Sequence, residues 1–402
     1  MNIELSSPPS SKRLLFTGLL PFFVMAHFVH HLLTALPIPL LPMIRSDFGL
    51  DYTQSGWVIS AFNLAYGIGQ LPAGGLADRI GPRILITVGI CGVALAGFFV
   101  GLSQTFTLMI SFLALMGFLG GGYHPSSPPL ISSLVEPRMQ GQALGLHVIG
   151  GGASYFLAPL IATAIAAAFG WRGSFIGLAV PTVLFGLFFY ILLGRKTSPP
   201  PNTGKTKAMA KEGPFPTGQA RNLTIFIFLS TFTGAVIFST ISFIPLFLVD
   251  HFAFSKAKAG AWFAFLYSAG LWVGPIGGYL SDRWGRVPLI LLVCFLAGPI
   301  IYFFPLAPGP ATIVLLLLLI GIVIYVRMPV SESYIIKKTS PHNRSTILGL
   351  YFFGSMEGGG LLTPVVGHLI DHYGFTVSFT VAGAVLVGVT LICGFLLWGS
   401  RD

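Results

Sequence analysis

Charge is what this chain has least of. Only 8% of its 402 residues are Asp, Glu, Lys or Arg, where soluble domains carry roughly 25%. So few charges cannot cover a surface facing water, and lipid is therefore the solvent for most of this protein. Cysteine is scarce too. Cys91, Cys294 and Cys393 stand far apart inside apolar runs. That spacing excludes a disulfide framework or a thiolate metal site and leaves small core residues. No Walker A sequence occurs, which excludes ATP hydrolysis as the driving force. The apolar runs are continuous rather than alternating, which excludes a transmembrane barrel. No basic patch interleaves with aromatics, so the formal net charge of +10 is not the footprint of a nucleic-acid binder. No cleavable signal is expected, because the run after Lys12 and Arg13 is too long for one.

Apolar residues are plentiful, at 54%, as are glycine and proline, at 50 and 29 residues. Glycine and proline break soluble helices, but membrane helices tolerate them because neighbouring helices re-satisfy the backbone. Apolar runs cover 14–44, 53–76, 84–103, 107–134, 141–168 and 173–194, then 222–249, 259–281, 287–304, 311–336, 345–370 and 375–399. Each reaches the roughly 20 residues that cross a bilayer. The pattern predicts an all-α integral membrane protein with twelve transmembrane helices in two bundles of six. The N-terminal bundle takes 1–194, a flexible cytoplasmic linker 195–221, and the C-terminal bundle 222–402. The linker holds Pro199-Pro200-Pro201 and a basic excess.

With both termini in the cytoplasm, every Lys and Arg falls on the inner side except Arg45, Arg172, Lys256, Lys258 and Arg327. This positive-inside bias sets the expected topology and accounts for the net charge.

The two halves echo each other. Leu76-Ala77-Asp78-Arg79-Ile80-Gly81 returns as Leu280-Ser281-Asp282-Arg283-Trp284-Gly285, an offset of 282 − 78 = 204 residues. In the same register Phe48 meets Phe252, Gly56 meets Gly260, Pro125 meets Pro329, Leu144-Gly145-Leu146 meets Leu348-Gly349-Leu350, and Gly170 meets Gly374. Two parallel repeats related by an axis along the membrane normal form one transporter architecture.

The turn Gly74-Gly75-Leu76-Ala77-Asp78-Arg79-Ile80-Gly81-Pro82-Arg83 resembles the loop signature of the major facilitator superfamily, and 277–286 resembles its second-half echo. The resemblance covers essentially the whole chain. Three stretches are similar to fosmidomycin-resistance-type drug exporters: 27–32 with its three histidines, 122–127 around His124, and 145–152 around His147. That subfamily carries an acid in helix 1 near His31 and often one at the position of Ser126; this chain lacks both. A proton-coupling scheme therefore cannot be copied across residue by residue. The resemblance implies a drug:proton antiporter acting by alternating access in the bacterial inner membrane, with no cofactor and no enzymatic activity. Its implied partners are a small molecule, protons and the bilayer, and its implied state is a monomer.

The signature turn has its own physics. Asp78 follows the end of helix 2, and Arg79 and Arg83 can pair with it or with helix ends, where free backbone groups and the dipole favour opposite charge. Gly75 and Gly81 are expected to permit close helix approach. Asp282, Arg283, Gly285 and Arg286 repeat the arrangement. An ion pair made in one state and broken in the other biases a rocking equilibrium.

Ionisable groups at mid-membrane are costly and therefore informative. His27, His30 and His31 in helix 1, His124 in helix 4, Arg327 in helix 10 and Glu357 in helix 11 sit there, with His147 and Glu332 toward the inner ends of helices 5 and 10. His27 and His31 share a helix face. Arg327 meets Tyr123 in the repeat, Glu357 meets Ala153, His124 meets Met328, and His147 meets Tyr351. Scaffold residues keep the symmetry and these polar ones break it, as a site at the repeat interface would require. Arg327 and Glu357 are expected to form a pair that opens on protonation or substrate binding, or else a static one. Glu332, five residues on, is a poorer partner and is assigned to the inner gate or the Lys337-Lys338 cluster. The histidines read as proton carriers or substrate contacts, with packing and a His27/His31/His124 metal site as the other readings; no metal is assigned. Polar helix 7, with Ser230, Thr231, Thr233, Ser239, Thr240 and Ser242, reads as a cavity face, and His368, Asp371 and His372 as a solvated cluster.

Three functions follow: proton-coupled export of a small amphipathic or anionic compound, uptake of an organic anion by a symporter or facilitator with Arg327 as anchor, and an intramembrane enzyme or receptor. The duplication disfavours the last.

Overall fold

The computed structural model describes residues 18–136, 139–196, 218–340 and 344–399. The side chains of Asp78, Arg195, Lys196 and Arg344 fall outside that description, as does the linker over 197–217. Among the described residues all regular structure is helical, in twelve spans. They are α1 (Leu20–Phe48), α2 (Tyr52–Ile80), α3 (Pro82–Leu102), α4 (Phe106–Ser133), α5 (140–169) and α6 (171–196). The second bundle has α7 (Gln219–Phe252), α8 (256–284), α9 (Arg286–Phe303), α10 (Pro310–Lys338), α11 (344–373) and α12 (375–396).

The ends differ from the sequence reading by several residues. Helix α6 continues to Lys196 and α7 begins at Gln219, so both edges of the expected linker are helical. Several spans are interrupted. The α1 helix breaks after Thr34, ahead of Pro37, which has no N–H to continue the ladder. The α3 helix contains a π turn at Val88–Gly92.

The duplication is written in the backbone. Left-handed dihedrals occur at Gly49 (φ 66) and Ala253 (φ 53), at Gly81 (φ 90) and Gly285 (φ 87), and at Gly170 (φ 70) and Gly374 (φ 75). Each pair is 204 residues apart. Gly81 and Gly285 end α2 and α8, and Gly170 and Gly374 turn α5 into α6 and α11 into α12 with no loop between. Glycine carries this conformation without a Cβ clash; Ala253 is the member that carries it with one.

The halves meet along α2 against α11 and α5 and α1 against α8. The polar contacts joining them cluster toward the face that bears the α1–α2 loop. Asp250 of α7 accepts hydrogen bonds from Arg45 (3.0 Å) and from the Tyr52 hydroxyl. Asp371 of α11 accepts from the backbone N–H groups of Tyr52 and Thr53 (2.8 Å each) and from the Thr53 hydroxyl (2.6 Å). A carboxylate on the free N–H groups of a helix N-terminus is favoured by both the hydrogen bonds and the dipole. Asp371 is thus a latch between the halves, a correction to its reading as part of a solvated cluster. Deeper in, Ser60 donates to the Gly360 carbonyl, and Glu357 lies against Gly67.

Candidate functional site

A narrow cavity of about 50 Å³ lies between the halves below this closed face. Its walls include His31, Asn63, Tyr66 and Tyr155 from the first half and Tyr267 and Met356 from the second. Tyr155 stacks on Tyr267 across the interface at 5.2 Å.

Behind the first wall, the structure brings all five sequence-selected histidines together. His27 and His147 stack at 4.2 Å, His30 stacks on Tyr123 at 4.5 Å, and His31 lies 5.2 Å from His124 between ring centroids. Hydrogen bonds fix the tautomers. His27 Nδ1 is 2.8 Å from the His147 carbonyl, His30 Nδ1 is 3.1 Å from the Gly89 carbonyl, and His147 Nδ1 is 3.1 Å from the Phe23 carbonyl. A carbonyl only accepts, so each of these nitrogens carries the proton. Gly89 belongs to the π turn of α3; such turns recur at functional sites. The three Nε2 atoms are left as acceptors. That of His30 takes the Tyr66 hydroxyl (3.2 Å), that of His147 takes the Ser127 hydroxyl (3.4 Å), and that of His27 is buried with no partner. His31 Nε2 and His124 Nε2 face each other at 3.1 Å.

The corresponding place in the second half holds a cation. Arg327 is 5% exposed and donates from Nη1 to the Ser230 carbonyl (2.6 Å) and hydroxyl (2.9 Å), with the Tyr351 hydroxyl at 3.5 Å. Ser230 also bonds Ser331 at 2.7 Å. The guanidinium fits because Gly234 is bare beside it: a Cβ there would lie 2.7 Å from Nη2. Gly234 is the repeat mate of His30, and Arg327 of Tyr123, so a large–large ring stack in one half has become a glycine and an arginine in the other. Arg327 Nε has no partner. Tyr351 is fully buried, and neither it nor Arg327 lines the cavity.

Arg327 and Glu357 do not pair. Arg327 reaches Tyr351 on α11, and Glu357 stands six residues on, about 240° around the helix at 100° per residue. Glu357 points instead at α2, where Gly67 makes room for it, and its Oε1 lacks a hydrogen-bond partner. Glu332 makes no ion pair with Arg327 either; Arg286 takes its neighbour Ser333 at 2.8 Å.

The hydroxyls of polar α7 are mostly self-satisfied. Thr231, Ser239, Thr240 and Ser242 donate to carbonyls four residues back in their own helix, a local bond open to any helical Ser or Thr. Ser230 joins a network, and Thr233 Oγ1 has no hydrogen-bond partner among the described residues. The α7 helix gives the cavity Phe238 and none of these hydroxyls, which corrects the cavity-face reading.

At the signature turn, Asp78 is helical in its backbone and its side chain falls outside the described residues. Arg79 is exposed. Arg83 docks on α6, donating to the Tyr190 carbonyl (2.9 Å) and lying 3.7 Å over its ring. Asp282 and Arg286 form a 3.6 Å pair within one half, with Asp282 largely in solvent, a geometry worth little on its own. Arg283 bonds Tyr279 at 3.1 Å. Gly75 faces open space, so close helix approach is not its role here; Gly81 and Gly285 serve the turn.

The comparisons with known proteins agree with this architecture. The sequence pattern of the Major Facilitator Superfamily matches residues 23–364. The probable L-galactonate transporter of Escherichia coli (strain K12) is 23% identical, over 88% of this chain and 83% of its own. The fosmidomycin resistance protein of the same organism is 26% identical, over 88% and 87%. The glycerol-3-phosphate transporter of Bacillus subtilis (strain 168) is 25% identical, over 84% and 82%. Among solved structures, a bacterial homologue of the human lysosomal transporter Spinster, in an inward-facing and unoccupied conformation, superposes with a TM-score of 0.74 at 17% identity, over 97% and 96% of the two chains. Twelve helices in two matched bundles, a signature turn at its symmetric positions and a family match along most of the sequence lead to one conclusion: the chain belongs to the Major Facilitator Superfamily.

Proposed function

We propose that this protein is a proton-coupled transporter of a small organic anion, working by alternating access and running as an exporter, with anion uptake as the alternative direction. The observation that carries the reading is Arg327, a buried guanidinium with hydrogen-bond acceptors at Nη1 and no ion pair to a carboxylate among the described residues, at a depth the sequence places near mid-membrane. A charge there costs about 2.5–3.5 kcal/mol on insertion scales. Carbonyl and hydroxyl oxygens take the Nη1 donors without cancelling the charge, and Nε has no partner among the described residues; an anionic substrate would bond the remaining donors and balance the charge. Three relatives are named for L-galactonate, glycerol-3-phosphate and sulfoacetate, all anions at neutral pH; the resemblance to fosmidomycin-resistance exporters supports the outward direction.

Glu357 is the proposed proton carrier: it lies where α2 and α11 meet and one of its oxygens is unpartnered. The bundles 1–194 and 222–402 rock about the linker as one monomer. With both termini cytoplasmic, the face that bears the α1–α2 loop, where the polar contacts between the halves cluster, is the external one.

Proteoliposomes with an imposed pH gradient, challenged with a panel of labelled carboxylates, phosphates, phosphonates and sulfonates, test the proposal. The expected result is gradient-driven flux of at least one anion against the proton flow, lost in Glu357→Gln while anion exchange without a gradient persists. Flux along the proton flow would establish uptake. No anion flux, or full coupling in Glu357→Gln, would overturn the mechanism.

A further inference from the structure

We propose that His27, His31 and His124 form a binding site for one transition-metal ion of the Zn²⁺ class, held between α1 and α4 beside the central cavity. One ring nitrogen from each of the three lies within 4.8 Å of the other two. His31 Nε2 and His124 Nε2 are already 3.1 Å apart; two ligands of a tetrahedral ion with bonds of about 2.0–2.1 Å stand about 3.3 Å apart. The third nitrogen needs to move inward by about 1.5 Å at most to meet that geometry, a shift within reach of small side-chain torsions.

Two of the three histidines, His27 and His31, have the supporting bond a metal site uses. Metal-bound histidine donates its other ring nitrogen to a carbonyl or similar acceptor, which fixes the tautomer and aims the lone pair. His27 Nδ1 donates to the His147 carbonyl at 2.8 Å, which leaves its buried Nε2 a bare lone pair with no partner. His31 Nδ1 lies 3.1 Å from the Thr34 hydroxyl, whose own proton goes to the His31 carbonyl at 3.3 Å. The hydroxyl is therefore the acceptor, and His31 Nε2 is a second lone pair. His124 Nε2 can then only donate to His31 in the metal-free form, and it takes the other tautomer when an ion is bound. Packing alone does not explain a buried, unprotonated His27 Nε2 with no partner among the described residues in a group whose other members already face each other at 3.1 Å. His30 and His147 stay outside the set, because their Nε2 atoms already accept from Tyr66 and Ser127.

Three neutral nitrogens select Zn²⁺, Co²⁺ or Ni²⁺ over Mg²⁺ and Ca²⁺. They leave the fourth position for water or an anion, on the side where His31 lines the cavity. The site does not depend on the anion-transport reading, since it is read by binding rather than flux.

The test is Zn²⁺ titration by calorimetry on detergent-purified protein without a polyhistidine tag. It uses a His368→Gln, His372→Gln background, because those two rings form an exposed pair at 4.1 Å. The expected result is one Zn²⁺ per chain, Co²⁺ bound with a tetrahedral absorption spectrum, and affinity at least about tenfold weaker in each of His27→Gln, His31→Gln and His124→Gln, with His30→Gln close to the parent. Each variant is checked for monodispersity and helicity. The proposal is overturned by no stoichiometric Zn²⁺ binding to the folded parent, by unchanged affinity in folded His27→Gln or His124→Gln, or by an octahedral, oxygen-type Co²⁺ spectrum.

Discussion

Replacing Arg327 with methionine separates a substrate anchor from a structural arginine. In the empty protein two effects oppose each other. The variant loses the charge-assisted bonds to Ser230 at 2.6 and 2.9 Å, each worth roughly 1.5–3 kcal/mol. It also removes a charge whose placement at mid-membrane costs about 2.5–3.5 kcal/mol. Ser230 keeps its bonds to Ser331 and Tyr351, so no new buried orphan is created there. At the midpoints of these ranges the two effects largely offset, and the empty protein is expected to lose about 1–2 kcal/mol. Bound anion tells the difference. Losing one charge-assisted contact of roughly 1.5–3 kcal/mol weakens binding about 10- to 150-fold. At an anion concentration near 100 times the parent Kd, ligand stabilisation of about 2.7 kcal/mol falls to about 0.4 kcal/mol when affinity drops 100-fold. Thermal unfolding of purified protein across the anion panel reads both quantities in one experiment. Arg327→Lys, which keeps the charge without the planar fork, is expected to recover part of the response. A variant that loses 3 kcal/mol or more when empty, yet keeps the parent's response to the anion, would refute the reasoning and make Arg327 structural.

Other perturbations probe the halves. Asp371→Asn weakens the cap that Asp371 places on α2 by about 1 kcal/mol, shifting the closed α1–α2 face toward open about fivefold; spin-label distances across that face measure it, and an unchanged distribution counts against the latch. Gly260→Ala places a Cβ 2.2 Å from the Pro39 carbonyl, so the same face must part; a thiol introduced at Ile38 then becomes more reactive, and unchanged reactivity in a folded variant contradicts the contact. Ala253→Gly relieves the left-handed alanine and raises stability by roughly 0.5–1 kcal/mol, read as a higher Tm; a lower Tm disproves the strain.

The family assignment makes the chain a multi-pass membrane transporter rather than an enzyme, and much of that was legible early. Hydrophobic runs report helices in lipid directly, because a backbone in hydrocarbon must satisfy its own hydrogen bonds within the segment. The 204-residue register was legible too, because duplication leaves the same glycines at the same turns. Its accuracy reaches the dihedral level, with Gly81 and Gly285 three degrees apart in φ. The positions where symmetry fails also proved informative: His30 against Gly234 and Tyr123 against Arg327 became a ring stack and a guanidinium pocket.

Partnership was not legible. Depth along a helix follows from counting residues, which is why Arg327 and Glu357 were both placed at mid-membrane. Pairing depends on rotation about the helix axis and on which helix lies opposite, and neither is encoded in one segment alone. Asp371 likewise gives no local sign that it will cap α2, more than 300 residues away in sequence. The sequence by itself determined the solvent, the number of spans and the duplication, because each depends on local composition or repeated pattern. Only the tertiary structure decided that Arg327 answers to Ser230 and Tyr351, that Glu357 faces Gly67, and that three histidines converge on one point, because each depends on how separate helices turn toward one another.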